Sequence, residues 1–257
     1  LELRSARVFL DPPIVRAALE AAPDARLIST YFMNELRVGE LITPYSMVTA
    51  AGTPLVPKDM TDEQMVVNEW LADDLRLEPD DEVQLRYFVM GADQQLETKT
   101  NYLRVYSIVP IAGIYADRDL MPDFPGIAKA EKTEEWDAGF DIDLKKIRSV
   151  DEQYWKELRG TPKAFVTFAA GEKMWGNRFG TYTAIRFPDT VGQSSSRASL
   201  TENLRHHLDP ASLGLIFQPV REQALAASSQ SQDFGQLFLG FSFFLIFAAL
   251  ILVTLLF

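Results

Sequence analysis

Apolar side chains first fall into a helical rhythm at Ile14, Val15, Ala18, Leu19 and Ala22. That spacing places them on one helix face, and Asp11-Pro12-Pro13 ahead of it supplies an N-cap followed by prolines that a first turn tolerates. Residues 1–10, which alternate partly and contain Val8-Phe9-Leu10, read as a strand-like start, Pro23-Asp24 ends the helix, and residues 27–38 read as a long strand, so the chain is predicted to open β-α-β. Near the other end, residues 181–187 read as a strand, 196–208 as a helix with Leu200, Leu204 and Leu208 on one stripe, and 213–220 as another strand. Two β-α-β units at opposite ends predict one lobe assembled from both ends, with the middle of the chain inserted between them.

The inserted part has its own pattern. Thr61-Asp62-Glu63-Gln64 carries a helix-start signal, and Met65, Val66, Trp70, Leu71 and Leu75 supply a buried stripe. Pro79-Asp80-Asp81 turns the chain into a strand over 82–90, and Gly91-Ala92-Asp93 reverses it into a second over 96–111. Met121-Pro122-Asp123-Phe124-Pro125-Gly126 then opens an irregular stretch whose aromatic residues are expected to pack on the body, with a short helix over 150–158 around Tyr154 and Trp155. Pro162-Lys163 introduces a strand over 164–168, and 172–175 reads as a helical turn. The prediction is an α+β fold in two lobes: a split β-α-β lobe from 1–57 and 161–233, and a helix and β-hairpin lobe from 58–160.

The last segment differs in kind. From Phe234 to Phe257 no charged side chain appears, and from Leu237 onward 18 of 21 residues are apolar, on every helix face. About 20 residues at ~1.5 Å each cross a bilayer core, so 234–257 is predicted to be a transmembrane helix in contact with lipid. Gly240, Ser242, Ala248 and Ala249 offer small side chains for a close-packed partner helix. Residues 218–232 read as helical and, running through Asp233 into the membrane, as a stalk; polar linkers are read at 193–197 and 228–232. No Lys or Arg lies between Glu222 and Phe234, which suits a non-cytoplasmic flank. The start at Leu1-Glu2-Leu3 without Met, and the end inside an apolar run, read as a piece of a longer protein.

Charge and composition narrow the chemistry. With 36 acids against 25 bases and net charge −11, no nucleic-acid partner is expected. Ten acids between Asp59 and Glu82 read as a solvated face. The absence of cysteine excludes thiol catalysis and cysteine-held metals. His206-His207 are the only histidines, and helical neighbours point about 100° apart, so they do not clamp one ion. The acids Glu134, Glu135, Asp137, Asp141 and Asp143 lack the spacing of a calcium loop. Gly171 and Gly176 have the spacing of a phosphate loop, but Asn177-Arg178 stands where Lys-Ser/Thr is needed, and these glycines read as a turn after Trp175. No catalytic, cofactor-binding or metal-ligating residue is assigned, and no enzyme activity is expected.

The run Val66-Val67-Asn68-Glu69-Trp70-Leu71-Ala72-Asp73-Asp74-Leu75, followed by Asp81-Glu82-Val83 and Leu85-Arg86-Tyr87, resembles the N-E-W-L-A-x-D-L and G-D-x-V-x-L-x-Y runs in extracytoplasmic domains of FtsX-like ABC transporter permeases, the MacB-like or type VII group. Gly160-Thr161-Pro162-Lys163-Ala164-Phe165-Val166 and the run from Asp233 to Ile246 resemble the same group, so the likeness spans about 60–257, with Asp80 where the group has Gly. The resemblance implies a membrane-proximal porter lobe with an inserted second lobe. It implies permease dimers, homo- or heterodimeric, that pair with a separate cytoplasmic ATP-binding cassette subunit, which binds the ATP. The body would lie on the periplasmic side of the inner membrane, serving export of drugs or peptides, lipoprotein release, or activation of cell-wall hydrolases. The other reading is a membrane-anchored scaffold that recruits an extracytoplasmic partner such as a cell-wall hydrolase.

Overall fold

The computed structural model describes residues 1–257 apart from 92, 94, 141, 189–195 and 231–233. In chain order the elements are β1 (Glu2–Arg4), α1 (Pro12–Ala21), β2 (Arg26–Val38), β3 (Leu41–Ala51), β4 (Gln64–Asn68), α2 (Glu69–Leu75), β5 (Glu82–Met90) and β6 (Leu96–Val109), then α3 (Ser149–Leu158), β7 (Ala164–Val166), α4 (Phe168–Trp175), β8 (Ala184–Arg186), α5 (Ser196–His207), α6 (Val220–Gln230) and α7 (Phe234–Leu256). Leu1–Leu213 is one compact unit and Gly214–Phe257 a second. The fold class is α+β, as expected.

One eight-stranded sheet, in the order β1-β8-β2-β3-β7-β4-β6-β5, organises the first unit, and β5 pairs back onto β2. The six strands from β2 to β5 therefore close into a ring. The length of β2 makes this possible: Arg26, Leu27 and Ile28 pair with β8, while Met33 to Arg37 pair with β5 across a bulge between Met33 and Glu35. Its other edge runs along β3 through a two-residue turn, Gly39-Glu40, where Gly39 takes φ +55°. Strands β2, β3, β7 and β8 come from the segments assigned to the split lobe, and β4, β5 and β6 from the inserted one, so hydrogen-bonded pairing runs across both boundaries.

The ring is filled by alternate side chains, among them Met33, Val48, Met65, Leu85, Val105 and Val166, together with Leu71 and Leu75 of α2 and Met174 and Trp175 of α4. Tyr31 stacks on Trp175 with centroids 5.3 Å apart and donates a 2.6 Å hydrogen bond to the Phe88 carbonyl; burial beside Tyr87 pushes its phenol up to about 12. Helix α4 approaches β3 so closely that a Cβ added to Gly171 would sit 2.4 Å from the Ala50 Cβ, an atom fixed to a strand. Gly171→Ala is expected to lower stability by about 1–3 kcal/mol from overpacking, although Ala is favoured over Gly in a helix by about 1 kcal/mol. Urea denaturation decides the sign.

Outside the ring, the irregular stretch packs through its aromatic residues as expected. Phe32 meets the rings of Tyr45, Phe124, Trp136 and Phe140 at centroid distances of 5.8 to 6.4 Å. At the sheet's far end, α1 lays Val15 and Ala18 against Leu10, Ile185 and Phe187, with Leu200 and Leu204 of α5 beside them.

Several expectations need correction. Residues 64–68 form a strand, not helix: Met65 and Val67 face the ring interior and Val66 the opposite core, an apolar run buried on both faces. The helix-start signal at Thr61 is a turn, with the Thr61 backbone N–H donating to Gln64 Oε1 at 3.0 Å. Strand β3 had no counterpart in the sequence reading. The strand expected within residues 1–10 is confined to Glu2–Arg4 and does not include Val8-Phe9-Leu10. The strand read at 181–187 is limited to Ala184–Arg186, and α4 begins at Phe168 rather than as a turn at 172. No strand forms at 213–220, where Pro210–Leu213 is a 3-10 turn and Leu215, Ile216 and Phe217 are exposed. The chain therefore does not close β-α-β.

Candidate functional site

The sequence candidates for chemistry do not assemble. His206 and His207 have ring centroids 5.7 Å apart, and His207 Nδ1 lies 3.4 Å from Glu20, an acid on α1. Asp143 caps a 3-10 turn by accepting from the Lys145 N–H, and Glu135 accepts from the Glu131 N–H. Asp141 lies outside the described residues, among which no cluster of three acids or histidines is placed to hold a metal. Gly171 sits inside α4 against β3, and Gly176 is its C-cap, so only the second marks the turn expected there.

What the fold does bring together is the pair of sequence stretches that carry the resemblance. Asn68 ends β4 and caps α2, its Oδ1 accepting from the Leu71 N–H at 2.9 Å. Its Nδ2 donates to Tyr154 Oη at 3.1 Å and to the Pro162 carbonyl at 3.2 Å, and its backbone N–H donates to the Lys163 carbonyl at 2.9 Å. Tyr154 in turn donates to the Thr161 carbonyl at 2.9 Å. The Trp70 ring packs edge-on against Tyr154, centroids 4.8 Å apart. Residues 68–74 and 160–163, some 90 positions apart, thus interlock around α3.

At the centre lies Lys163, only 3% exposed, its Nζ 4.0 Å from the Trp70 centroid and 4.6 Å from that of Tyr154. The nearby carboxylates are committed to Arg148. Asp151 accepts from its Nε at 2.8 Å and its backbone N–H at 2.9 Å, and Asp74 accepts from its Nη2 at 2.6 Å and from the Thr43 hydroxyl. Those bonds raise the Arg148 pKa above its ordinary value, most of all the bond to Asp151. Lys163 forms no ion pair with them among the described residues, and burial pulls its ammonium down to about 7, with Asp151 and Asp74 opposing. A cavity of about 30 Å³ adjoins it, lined by Thr133, Asp151, Tyr154, Thr161 and others. That admits a water or two, at roughly 15 Å³ each, and no organic substrate.

The arrangement fastens β4, α2, α3 and the start of β7 to one another. Asn68→Ala removes a helix cap and leaves buried partners unpaired, so it is expected to cost about 2–4 kcal/mol in urea denaturation. Asn68, Trp70 and Lys163 stand in the motif runs, whereas Arg148, Asp151 and Thr43 carried no sequence signal, because their contacts are set by the tertiary fold.

In the second unit, Gly235–Leu256 is a helix of 22 residues with mean hydropathy 2.7, long and apolar enough to cross a membrane, and none of it is buried within the chain. The small residues Gly240, Ser242, Ala248 and Ala249 lie along it. Residues 220–230 of the expected stalk are helical, whereas Ser231, Gln232 and Asp233, together with Ala92 and part of the 193–197 linker, lie outside the described residues.

No family model matches the chain, and no curated protein does. Among solved structures, the chain is similar to the crystal structure of the periplasmic region of MacB from Actinobacillus actinomycetemcomitans. The identity is 10%, the TM-score 0.42, and the match covers 80% of this chain and 76% of that one.

Proposed function

We propose that the chain is the extracytoplasmic domain and adjoining membrane helix of an FtsX-like, MacB-like ABC transporter permease subunit. In this reading it catalyses nothing itself. It dimerises, and it passes movement driven by a separate cytoplasmic ATP-binding cassette subunit to substrates or partners outside the inner membrane. The observation that carries this is a charge-free helix of membrane length that follows the α+β unit in the same chain. The motif runs support it physically, since the residues that resemble the permease group are those that fasten β4, α2, α3 and β7 to one another.

Two measurements test it. The chain lacks cysteine, so Lys58→Cys, at an exposed position, places one reporter on the body. A membrane-impermeant maleimide is expected to label it in intact spheroplasts; labelling only after lysis contradicts the proposed side. A flexible Gly-Ser insertion after Ser231, in the whole permease with its ATPase, is expected to leave ATP hydrolysis intact and abolish the work done outside the membrane. Unchanged export or hydrolase activation would sink the stalk mechanism.

A further inference from the structure

An apolar recess of the first unit lies where β2, β3 and the start of α4 meet. It has a volume of about 290 Å³ and is lined by Leu27, Ile28, Ala51, Leu55, Ile114 and Phe168 among others, and among the described residues its ionic lining groups are Arg26 and Arg186. At the same roughly 15 Å³ for each water-sized group it has room for well over a dozen such groups, enough for a medium alkyl chain.

The two arginines are direct partners across β2 and β8, and Glu2 faces Arg186 from β1. Directly opposed residues of antiparallel strands share a face, and like charges so placed are destabilising. Glu2 and Asp117 offset Arg186, bonding its Nε at 2.6 Å and its Nη1. Neither reaches Arg26, which is exposed and forms no ion pair or hydrogen bond through its side chain among the described residues. An adjoining groove shares both arginines and also holds Glu2, Asp117 and Asp119; Asp119 forms no ion pair with Arg26. A guanidinium with no ion pair among the described residues, beside the Arg186 Nη2 that none of them engages, thus stands at the mouth of an apolar recess, and an anionic head on an alkyl tail complements both features.

We propose that this recess binds a fatty carboxylate, the tail against Leu55 and Phe168 and the carboxylate on Arg26 and the free edge of Arg186. The inference does not depend on the permease reading. The probe is dodecanoate carrying a diazirine near its terminal carbon, added to the full chain in phosphatidylcholine nanodiscs. Photolabelling is expected on peptides containing 51–55 or Phe168, and unlabelled dodecanoate should displace the probe about tenfold more effectively than dodecanol. Arg26→Gln should reduce labelling by a similar factor of about ten, Arg26→Lys should retain most of it, and Leu55→Trp, which fills the recess, should abolish it. Should Leu55→Trp fail to fold, the exposed Arg26 variants decide alone. Labelling confined to Phe234–Leu256, equal displacement by dodecanol, or full labelling of Arg26→Gln overturns the proposal.

Discussion

Replacing Lys163 by Met is expected to raise the stability of the folded chain and to flatten its dependence on pH between about 7 and 10. The folded pKa, about 7, lies below the ordinary 10.5, so the unfolded chain binds more protons across that window and wild-type stability rises with pH there. The slope reaches at most about 1.4 kcal/mol per pH unit, and the cost carried at neutral pH is about 5 kcal/mol at most. Two attractions work against it. The faces of Trp70 and Tyr154 favour the ammonium, each by roughly 2 kcal/mol when desolvated, so a net gain of about 1–3 kcal/mol is expected for the Met variant at pH 7. Met matches the unbranched stem of Lys and demands no partner. Urea denaturation of both chains in nanodiscs at pH 6.5, 8 and 9.5, followed by tryptophan fluorescence, checks this. Parallel stability curves would show that Lys163 is not the group that titrates.

The same residue shows what a sequence does and does not disclose. Lys163 follows Gly160-Thr161-Pro162 in a run that carries a family resemblance, but nothing local says that its ammonium ends between two rings, one of them 93 positions earlier. Helices with one buried face were legible: α1 and α3 fall where apolar periodicity placed them, and so do the two strands of the β5–β6 hairpin. Strands buried on both faces were not. In β4, Met65-Val66-Val67 gives no alternation, and a capping-like turn at Thr61 made the run read as helix. In β3, Pro44 interrupts the pattern, and Thr49 looks polar although it is buried with its hydroxyl 2.7 Å from that of Thr30 on β2. The error at 213–220 is of the opposite kind, since apolar residues suited to a strand find no partner strand among the described residues. Ring closure was invisible because it depends on one strand serving two neighbours along a single edge.

That ring gives Trp175 its weight. It is 1% exposed, stacked within 6° of parallel on Tyr31, edge-on to Tyr87 at 6.4 Å, and bonded through Nε1 to Ser29 Oγ at 2.9 Å. Trp175→Ala is expected to cost about 3–5 kcal/mol, because the ring's strands are tied by hydrogen bonds on both edges and cannot collapse fully into the space left behind. Against a total of about 5–15 kcal/mol, that is enough to populate unfolded chains at 37 °C. Trp175→Phe separates the contributions: it keeps an aromatic face for Tyr31 and removes the indole donor, while Ser29 keeps its 2.6 Å bond to the Thr181 carbonyl, so a loss of only about 1–2 kcal/mol is expected. Equal losses for Phe and Ala would assign the effect to the hydrogen bond. A loss below about 1 kcal/mol for Ala would mean that the ring relaxes around the gap.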